Sequence, residues 1–242
     1  MLQVCPNGAR DPGACRGLPI LPVLPGELAA AVRQAVAAGA SDVHLHPKTP
    51  QGADTLDPEH VAAAVTAVRE AVPGVPVGVT TGAWAMPDPR RRAELIRSWP
   101  VLPDHASVNW HEEGAEAVAE ALLERGVGIE AGIFSGTPAA GRFLASPLAD
   151  RVLRVLAEVT DPDPRTAPAT ARALLAELGD ALRAPVLLHG EEAAAWPVLG
   201  LAAELGLDAR IGLEDVLELP DGTPATTNAE LVRAAWTMLN AP

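Results

Sequence analysis

The amino-acid sequence predicts an α/β fold, a single (β/α)8 TIM barrel that occupies residues 1–242. Two observations predict it: short apolar runs alternate with longer helical patterns through the whole chain, and nearly every apolar run ends in a polar or ionisable residue. Repeated strand–helix–strand units indicate parallel strands joined by right-handed crossovers. Because chemistry in such barrels collects at the carboxyl ends of the strands, a functional site is expected there.

The predicted strands are short apolar, often β-branched runs. A doubly wound open sheet is the alternative architecture, but it usually carries a glycine-rich phosphate loop, and neither GxGxxG nor GxxxxGK[ST] occurs. The barrel is therefore preferred, with strands at 2–6, 42–46, 75–81, 106–110, 128–134, 152–159, 185–190 and 209–215.

Helical patterns fill the intervals between these strands. The fifth interval, GTPAAGRFLASPLAD at 136–150, contains glycines and prolines that predict an irregular unit. The proline-rich segment 17–26 is predicted to be a loop that leads into the first helix. The regular helices are predicted at 27–39, 58–72, 90–99, 115–126, 170–182, 193–206 and 228–239.

Composition excludes several classes of partner. The net charge of −13 argues against a nucleic-acid partner and gives no attraction to anionic membranes. Two cysteines, Cys5 and Cys15, are too few for a disulfide framework. We find neither a signal-peptide pattern nor a run of about 18 apolar residues. The sequence thus predicts a soluble, cytoplasmic protein.

Polar residues close almost every predicted strand. A few would occur by chance in a non-catalytic barrel, but a ring of them points to a site. In strand order they are Asn7; His44 and His46; Thr80 and Thr81; Asn109; Glu130; Glu158; His189; and Glu214 with Asp215.

The stretch SDVHLHPKT at 41–49 carries two histidines and the only lysine of the chain, Lys48. Residues i and i+2 of a strand face the same side, so His44 and His46 are predicted to point into the barrel mouth and Leu45 toward the helices. Two imidazoles on one strand are suited to a divalent metal. The alternative is one histidine in the core and one on the surface.

A third ligand is available at the end of the last strand. In a closed barrel that strand neighbours the first, which brings Glu214 near the histidines. A His2Glu set with an open position is typical of catalytic Zn²⁺. The alternative for Glu214 is a capping or ion-pairing carboxylate.

Five motifs in this order resemble the β-keto acid cleavage enzymes, whose first characterised member cleaves 3-keto-5-aminohexanoate. They are CPNGAR (5–10), SDVHLHPKTPQG (41–52), VTTGAW (79–84), GIEAGIF (128–134) and ARIGLED (209–215). The pairing of HxH with RxGxED is the specific part of the resemblance. Each of the other motifs alone would be weak.

The resemblance implies a (β/α)8 barrel that holds one Zn²⁺ through His44, His46 and Glu214. The implied reaction is an acyl exchange, in which a β-keto acid and acetyl-CoA give a new CoA thioester and acetoacetate. It also implies that Arg210, Asp215 and Thr80 form an enolate-like nucleophile. Glu130 matches a glutamate of the family on strand five.

These residue types suit that chemistry. A metal at the keto oxygen stabilises enolate charge, and Asp215 is a candidate proton acceptor whose basicity Arg210 and Thr80 would set. Each has a simpler alternative: a surface or barrel-bottom arginine, a turn-capping aspartate and an ordinary strand threonine. Candidate substrate contacts are Asn7 and Gly8, for which the alternative is a plain Asn-Gly turn, together with Thr81, Gly82 and Asn109.

Three departures from the family pattern stand out. Lys48 follows Pro47 where the family usually has an arginine, so the cation is kept without bidentate geometry and is expected to contact a substrate carboxylate or CoA phosphate. The alternative is that a single lysine has no role. The loops after strands five and six are short, and HGEEAAAW (189–196) replaces a glycine-rich segment, which leaves the thioester site and the role of His189 open.

WHEEG (110–114) is interpreted as the start of the fourth helix, with acidic residues in its first turn.

Two other classes of function stay open from the sequence. Amidohydrolase-like enzymes also carry HxH, but on the first strand, and they use histidines on strands five and six, where this chain has Glu130 and Glu158. A barrel that binds a ligand without turnover is the other class. A homo-oligomer, dimer or tetramer, is expected, because helix 193–206 is apolar enough to pack against a neighbour.

Overall fold

Eight parallel strands form a closed barrel in chain order, with β8 hydrogen-bonded to β1. This structure is a computed structural model that describes residues 1–10, 21–179 and 182–241. The predicted (β/α)8 fold is confirmed. The strands are β1 Leu2–Val4, β2 Asp42–Leu45, β3 Val77–Thr80, β4 His105–Asn109, β5 Gly128–Phe134, β6 Arg154–Val159, β7 Val186–Gly190 and β8 Asp208–Ile211.

A helix follows each strand. The irregular fifth unit is confirmed, since α5 has only seven residues and a short 3-10 helix, Ala149–Arg151, follows it. A second 3-10 helix, Glu192–Ala194, precedes α7. The helices are α1 Pro25–Ala38, α2 Pro58–Ala71, α3 Pro89–Ser98, α4 Ala115–Glu124, α5 Ala139–Ala145, α6 Ala167–Leu178, α7 Ala195–Leu205 and α8 Asn228–Leu239.

The first helix begins earlier than predicted. Pro25 opens α1, where its missing N–H costs nothing, and the Glu27 carboxylate accepts the backbone N–H groups of Val23 and Leu24. Residues 21–24 precede the helix as the predicted loop, while 17–20 lie outside the described residues. The sixth helix was predicted to extend to residue 182. In the structure α6 ends at Leu178, and residues 180–181 of the predicted end lie outside the described residues.

The apolar core lies between the sheet and the helices. Val4, Val43, Leu45 and Ile211 are fully buried members of one cluster with the inner helix faces. Because side chains alternate along a strand, the intervening residues point into the barrel. That interior is largely polar, and includes Gln3, Asp42, His44, His105, Ser107, Glu130, Arg154, Glu158, His189 and Arg210.

The last strand is shorter than predicted. It ends at Ile211, and residues 212–215 form a turn in which the Asp215 and Val216 N–H groups donate to the Gly212 carbonyl. The strand assignment for Glu214 and Asp215 was therefore wrong. The turn has a useful consequence, because two consecutive residues can both point toward the barrel axis, whereas in a strand they would face opposite sides.

No helix among the described residues is both long enough and apolar enough to cross a bilayer.

Gly212 lets the first and last strands approach each other. A Cβ built there would overlap the backbone of Cys5. Cys5, the residue after β1, is hydrogen-bonded to the end of β8 and to the turn beyond it. The Cys5 N–H donates to Ile211 O at 3.2 Å, and the Glu214 N–H donates to Cys5 O at 3.2 Å. Barrel closure and the position of Glu214 therefore both depend on a residue without a side chain.

We expect Gly212→Ala to destabilise the fold by about 1–3 kcal/mol, since the neighbouring atoms are backbone and cannot move aside cheaply. The matched control is Gly200→Ala in α7, where the nearest atom is the Met238 sulfur at 3.8 Å. An alanine inside a helix should stabilise the protein by roughly 0.5–1 kcal/mol. The midpoint of urea unfolding measures the change in stability of both variants. Equal midpoints for Gly212→Ala and the parent would contradict the close approach.

Candidate active site

A cavity of about 350 Å³ opens at the carboxyl ends of the strands. It lies at the end of the barrel where the polar strand ends were expected to meet. Seven of the predicted residues line it: His44, His46, Thr80, Asn109, Glu158, Arg210 and Glu214. Residues that were not predicted complete its wall: Ala9, Arg10, Trp84, Ser107, Phe134, Glu191 and Glu192.

His44, His46 and Glu214 form one cluster at this cavity. One ligand atom from each residue lies within 4.8 Å of the other two. The His46 Nε2 is 3.3 Å from Glu214 Oε1, and the two imidazole rings meet edge to face with centroids 5.4 Å apart. The structure thus brings together the three residues that the sequence proposes as metal ligands.

Two buried atoms of this cluster have no hydrogen-bond partner among the described residues, His44 Nδ1 and Glu214 Oε2. Burial lowers the pKa of His44, which favours the neutral imidazole that binds metals. Burial alone would raise the pKa of Glu214, but the Arg210 and His46 charges outweigh it and hold that pKa well below its usual range. Two imidazole nitrogens and a carboxylate are a donor set that fits Zn²⁺.

The second histidine is held on both sides. Its Nδ1 is 2.8 Å from Asp54 Oδ2, and the Trp84 indole stacks on its ring at 5.8 Å. Burial alone would lower the pKa of His46, but the Glu214 and Asp54 carboxylates outweigh it and raise the pKa to about 9. A raised pKa means that a proton and a metal compete for His46, because a ligating histidine must be neutral.

Arg210 joins the two adjacent carboxylates of the turn. Its Nη2 donates to Glu214 Oε1 at 2.7 Å and to Asp215 Oδ1 at 2.8 Å. Its Nη1 makes no hydrogen bond within the part of the chain that the structure describes. The guanidinium lines the cavity, so it offers a cationic donor to a substrate there.

Asp215 lies behind Arg210, fully buried and outside the cavity lining. The Cys5 thiol donates to its Oδ2 at 3.0 Å, and the His189 Nδ1 is 3.5 Å from the same oxygen. Burial alone would raise the pKa of Asp215, but Arg210 and His189 lower it far below its usual range. This environment favours the ionised carboxylate, which is hydrogen-bonded to Arg210. Asp215, the predicted proton acceptor, does not itself line the cavity.

His189 links two acidic groups. Its Nε2 is 3.6 Å from Glu158 Oε1, on the side opposite Asp215. Burial and Arg210 lower the pKa of His189, but Asp215 and Glu158 outweigh both and raise it to about 9. His189 thus lies buried between two carboxylates, at ion-pair distance from each and without hydrogen-bond geometry to either.

Glu130 lies deeper than predicted. It is the third of seven residues in β5, and not at the carboxyl end of that strand. Its Oε2 is 3.5 Å from His44 Nδ1, within ion-pair distance but without hydrogen-bond geometry. Since it is fully buried below His44, its implied catalytic contact with substrate stays a prediction.

A network of buried charges surrounds Glu130. Arg154 Nε donates to Glu130 Oε1 at 2.6 Å, and its Nη2 is 3.0 Å from Asp42 Oδ2. The His105 ring lies between the same carboxylates, 3.1 Å from Asp42 and 3.2 Å from Glu130. Gln3 Nε2 donates to both carboxylates at 2.8 Å. No sequence pattern predicts this network, because its members come from five separate strands.

Several predicted substrate contacts are used by the backbone. The Asn7 side chain donates to the Pro22 and His46 carbonyls and accepts from the His46 and Gly8 N–H groups. The Thr81 hydroxyl donates to the Ser107 carbonyl at 2.6 Å. These contacts fix the loops after β1 and β3. Substrate binding by Asn7, Gly8 and Thr81 stays a prediction.

Thr80 and Asn109 have a clearer relation to the cavity. Both line it; the Thr80 hydroxyl accepts from the Gly82 N–H at 3.2 Å, and Asn109 Nδ2 donates to Glu112 Oε1 at 3.0 Å. A Cβ at Gly82 would overlap the Trp84 ring, so this glycine makes room for that side chain. Substrate binding by Gly82 stays a prediction.

The WHEEG segment does not begin the fourth helix. Residues 110–113 form a turn, and α4 starts at Ala115 after Gly114. Glu112 accepts from Arg92 and from the Ala83 N–H, so it joins the loops after β3 and β4. The predicted helix start was wrong because glycine at a positive φ of 71° marks the cap instead.

The segment after β7 adds acidic groups that the sequence did not assign. Glu191 and Glu192 line the cavity, and Glu192 contacts Arg10. Burial, with the Glu158 and Asp215 charges, raises the pKa of Glu191 to about 7. Glu192 is the one non-glycine residue with a positive φ, 51°, among the described residues. No sequence motif predicts this strained backbone at Glu192.

The fold and this site define a (β/α)8 barrel with a candidate metal centre at the carboxyl ends of its strands. The family model of the beta-keto acid cleavage enzymes (BKACE) matches residues 1–241, and the chain belongs to that family. Membership agrees with the family resemblance of the sequence motifs. No curated protein matches the chain.

Solved structures agree on the fold alone. The complex of ObcA with oxaloacetate superposes with a TM-score of 0.67 at 17% identity, covering 88% of this chain and 62% of that one. A type I 3-dehydroquinate dehydratase from Clostridium difficile superposes with a TM-score of 0.65 at 9% identity, covering 99% of this chain and 90% of that one. The chain thus spans about three fifths of the length of ObcA.

We expect the buried network to make stability depend on pH. Burial alone lowers the pKa of His105, but Glu130 and Asp42 outweigh it and raise the pKa to about 9. A raised pKa gives stability that is complete below the unfolded value of about 6.5 and is lost as the pH rises through about 9.

Urea unfolding of the chelator-treated protein between pH 6.5 and 9.5 measures this effect. His46, His105 and His189 all have a pKa raised to about 9, and each should contribute a fall in the free energy of unfolding of at most about 1.4 kcal/mol per pH unit. His105→Gln should reduce the total slope, and His60→Gln, at a partly exposed histidine of α2, should not. A slope unchanged in His105→Gln would show that this histidine is not a titrating group.

Proposed function

We propose that this chain is a zinc-dependent β-keto acid cleavage enzyme that uses acetyl-CoA as the acceptor. The overall exchange would convert R–CO–CH2–COO⁻ and acetyl-CoA into R–CO–CoA and acetoacetate. The carbon–carbon bond beside the keto group of the substrate breaks, and a new one forms to the acetyl carbonyl. The observation that carries the proposal is the cluster of His44, His46 and Glu214 beside Arg210 in one cavity.

His44, His46 and Glu214 would hold the metal. When bound, Zn²⁺ acts as a Lewis acid that stabilises negative charge on a keto or enolate oxygen. The remaining position of such a three-ligand site is open to substrate. The unpartnered Glu214 Oε2 and the pairing of His46 with Asp54 support this assignment.

Arg210 would bind the anionic part of the substrate. Its Nη2 is shared by Glu214 and Asp215, so its plane is fixed while the guanidinium still lines the cavity. Asp215 would position Arg210, to which its carboxylate is hydrogen-bonded. The direct proton transfer to Asp215 that the sequence suggested stays a prediction. Thr80 also lines the cavity and would supply a hydroxyl there.

The acid–base group nearest the substrate space would be Glu191. It lines the cavity, and burial beside Glu158 raises its pKa to about 7, which suits proton transfer near neutral pH. Its motif, HGEEAAAW, is also where the chain departs from the family pattern. The thioester binding surface, the cytoplasmic location and the homo-oligomeric state stay predictions.

Metal content tests the proposed centre. Protein purified without added metal should contain about one Zn²⁺ per chain, as a three-ligand catalytic site would hold. His46→Ala should lose it, because only two ligands remain. His60→Ala, at a partly exposed histidine, is the matched control and should keep it. A parent protein that contains no metal and takes up none would contradict the proposal and favour a ligand-binding barrel without turnover.

Labelled acetyl-CoA tests the acceptor. With acetyl-¹³C2-CoA and an unlabelled β-keto acid, carbons 3 and 4 of acetoacetate should carry the label, because the acetyl group becomes that half of the product. Nuclear magnetic resonance of the product measures it, and His46→Ala provides the background. Cleavage that proceeds equally well without acetyl-CoA would show that water is the acceptor.

A further inference from the structure

We propose that Asp54 is a positioning residue of the metal centre: it fixes His46, while Lys48 and Trp84 hold Asp54 in place. This inference rests on the proposed function, since it concerns the histidine that would bind Zn²⁺. Neither Asp54 nor Trp84 belongs to the candidate site that the sequence defines. The inference also explains why the only lysine of the chain lies beside the HxH motif.

The first argument is the geometry of the imidazole. Asp54 Oδ2 is 2.8 Å from His46 Nδ1, so that nitrogen carries its proton toward the carboxylate. The other nitrogen, Nε2, then faces Glu214 Oε1 at 3.3 Å. A histidine whose one nitrogen donates to a carboxylate presents the other to a metal in a fixed orientation and with increased basicity.

The second argument is that Asp54 is itself held by two donors. The Lys48 ammonium contacts its Oδ1, and the Trp84 indole N–H donates to its Oδ2 at 2.8 Å. Lys48 is only 5% exposed, so its charge is directed at this carboxylate and away from water. An aspartate with three donors around it has little freedom to turn away from His46.

The third argument is the path of the backbone. Lys48 and Asp54 form an isolated antiparallel bridge. The Thr49 N–H donates to the Ala53 carbonyl at 2.8 Å, and the Thr55 N–H donates to the Pro47 carbonyl at 3.0 Å. The chain after β2 therefore folds back on itself and returns a carboxylate to the end of the strand that it has just left.

The fourth argument is the position of Trp84 on the neighbouring loop. Its ring stacks on His46 with an interplanar angle of 11°, although the side chain is 49% exposed. An exposed tryptophan held in this position is explained by its two contacts, the ring on the imidazole and the N–H on Asp54. Loops after two adjacent strands thus restrain one imidazole together.

Lys48 makes a contact that the sequence did not predict. Its predicted contact with a substrate carboxylate or a CoA phosphate stays a prediction. The structure pairs Lys48 with Asp54. A buried carboxylate that loses its cationic partner is costly, which gives Lys48 a role at this position without a bound anion.

Zinc affinity of the metal-free protein, measured by competition with a chelator at pH 8, tests the inference without any assay of activity. Asp54→Ala should bind Zn²⁺ about 10–100-fold more weakly, as expected when a carboxylate partner of a ligating histidine is removed. Lys48→Met should weaken binding less, and Lys48→Arg should restore it, because a cation again faces Asp54. Asp150→Asn, at an exposed aspartate of the 3-10 helix after α5, is the control.

The visible spectrum of the Co²⁺ form adds a readout of ligand geometry. Its bands should shift in Asp54→Ala and stay unchanged in Asp150→Asn. If Asp54→Ala does not fold, Trp84→Phe serves in its place: it keeps the stacked ring, removes the N–H donor and should weaken Zn²⁺ binding.

The outcomes separate the two proposals. A parent protein that binds no Zn²⁺ would contradict the metal centre itself. Zn²⁺ affinity and a Co²⁺ spectrum in folded Asp54→Ala equal to those of the parent would overturn only the positioning role. Where Trp84→Phe takes its place, unchanged affinity in that variant overturns the same role.

Discussion

The ion pairs of Arg210 with two consecutive carboxylates are the interaction on which the site depends. Glu214 and Asp215 lie in a turn, and the same Nη2 binds both at 2.7 and 2.8 Å. Without this cation, two adjacent buried negative charges would repel each other and at least one would be protonated. With it, Glu214 faces the histidines while Asp215 faces Cys5 and His189, so one guanidinium sets the direction of both side chains.

Opposite charges are also paired in the interior of the barrel. Apolar residues of the strands face the helices and supply the hydrophobic stabilisation, while the lumen holds His105, Glu130 and Arg154 in contact. Gly78 makes room for this network, because a Cβ there would overlap the His105 ring. Removing one partner of such a network leaves an uncompensated buried charge, which costs far more than the pair contributes.

The sequence was sufficient for the fold and for seven residues of the cavity wall, and insufficient for the residues that surround them. Alternating apolar runs have a period that predicts strands, and HxH places two side chains on one face. Glu130 was misplaced because periodicity shows which face a residue occupies and not its depth in a barrel. Asp54 lies in a loop and Glu192 begins a short 3-10 helix. Contacts there depend on how the chain folds back and carry no periodic signal.

Lys48 has a chemical consequence that follows from composition and burial together. The chain offers one side-chain amine, and that amine is almost inaccessible and in contact with a carboxylate. Acylating reagents that act on lysine side chains therefore have a single target, in the loop after β2. The rate of that acylation reports how often this loop opens in the native protein, a local free energy that is otherwise read only from hydrogen exchange.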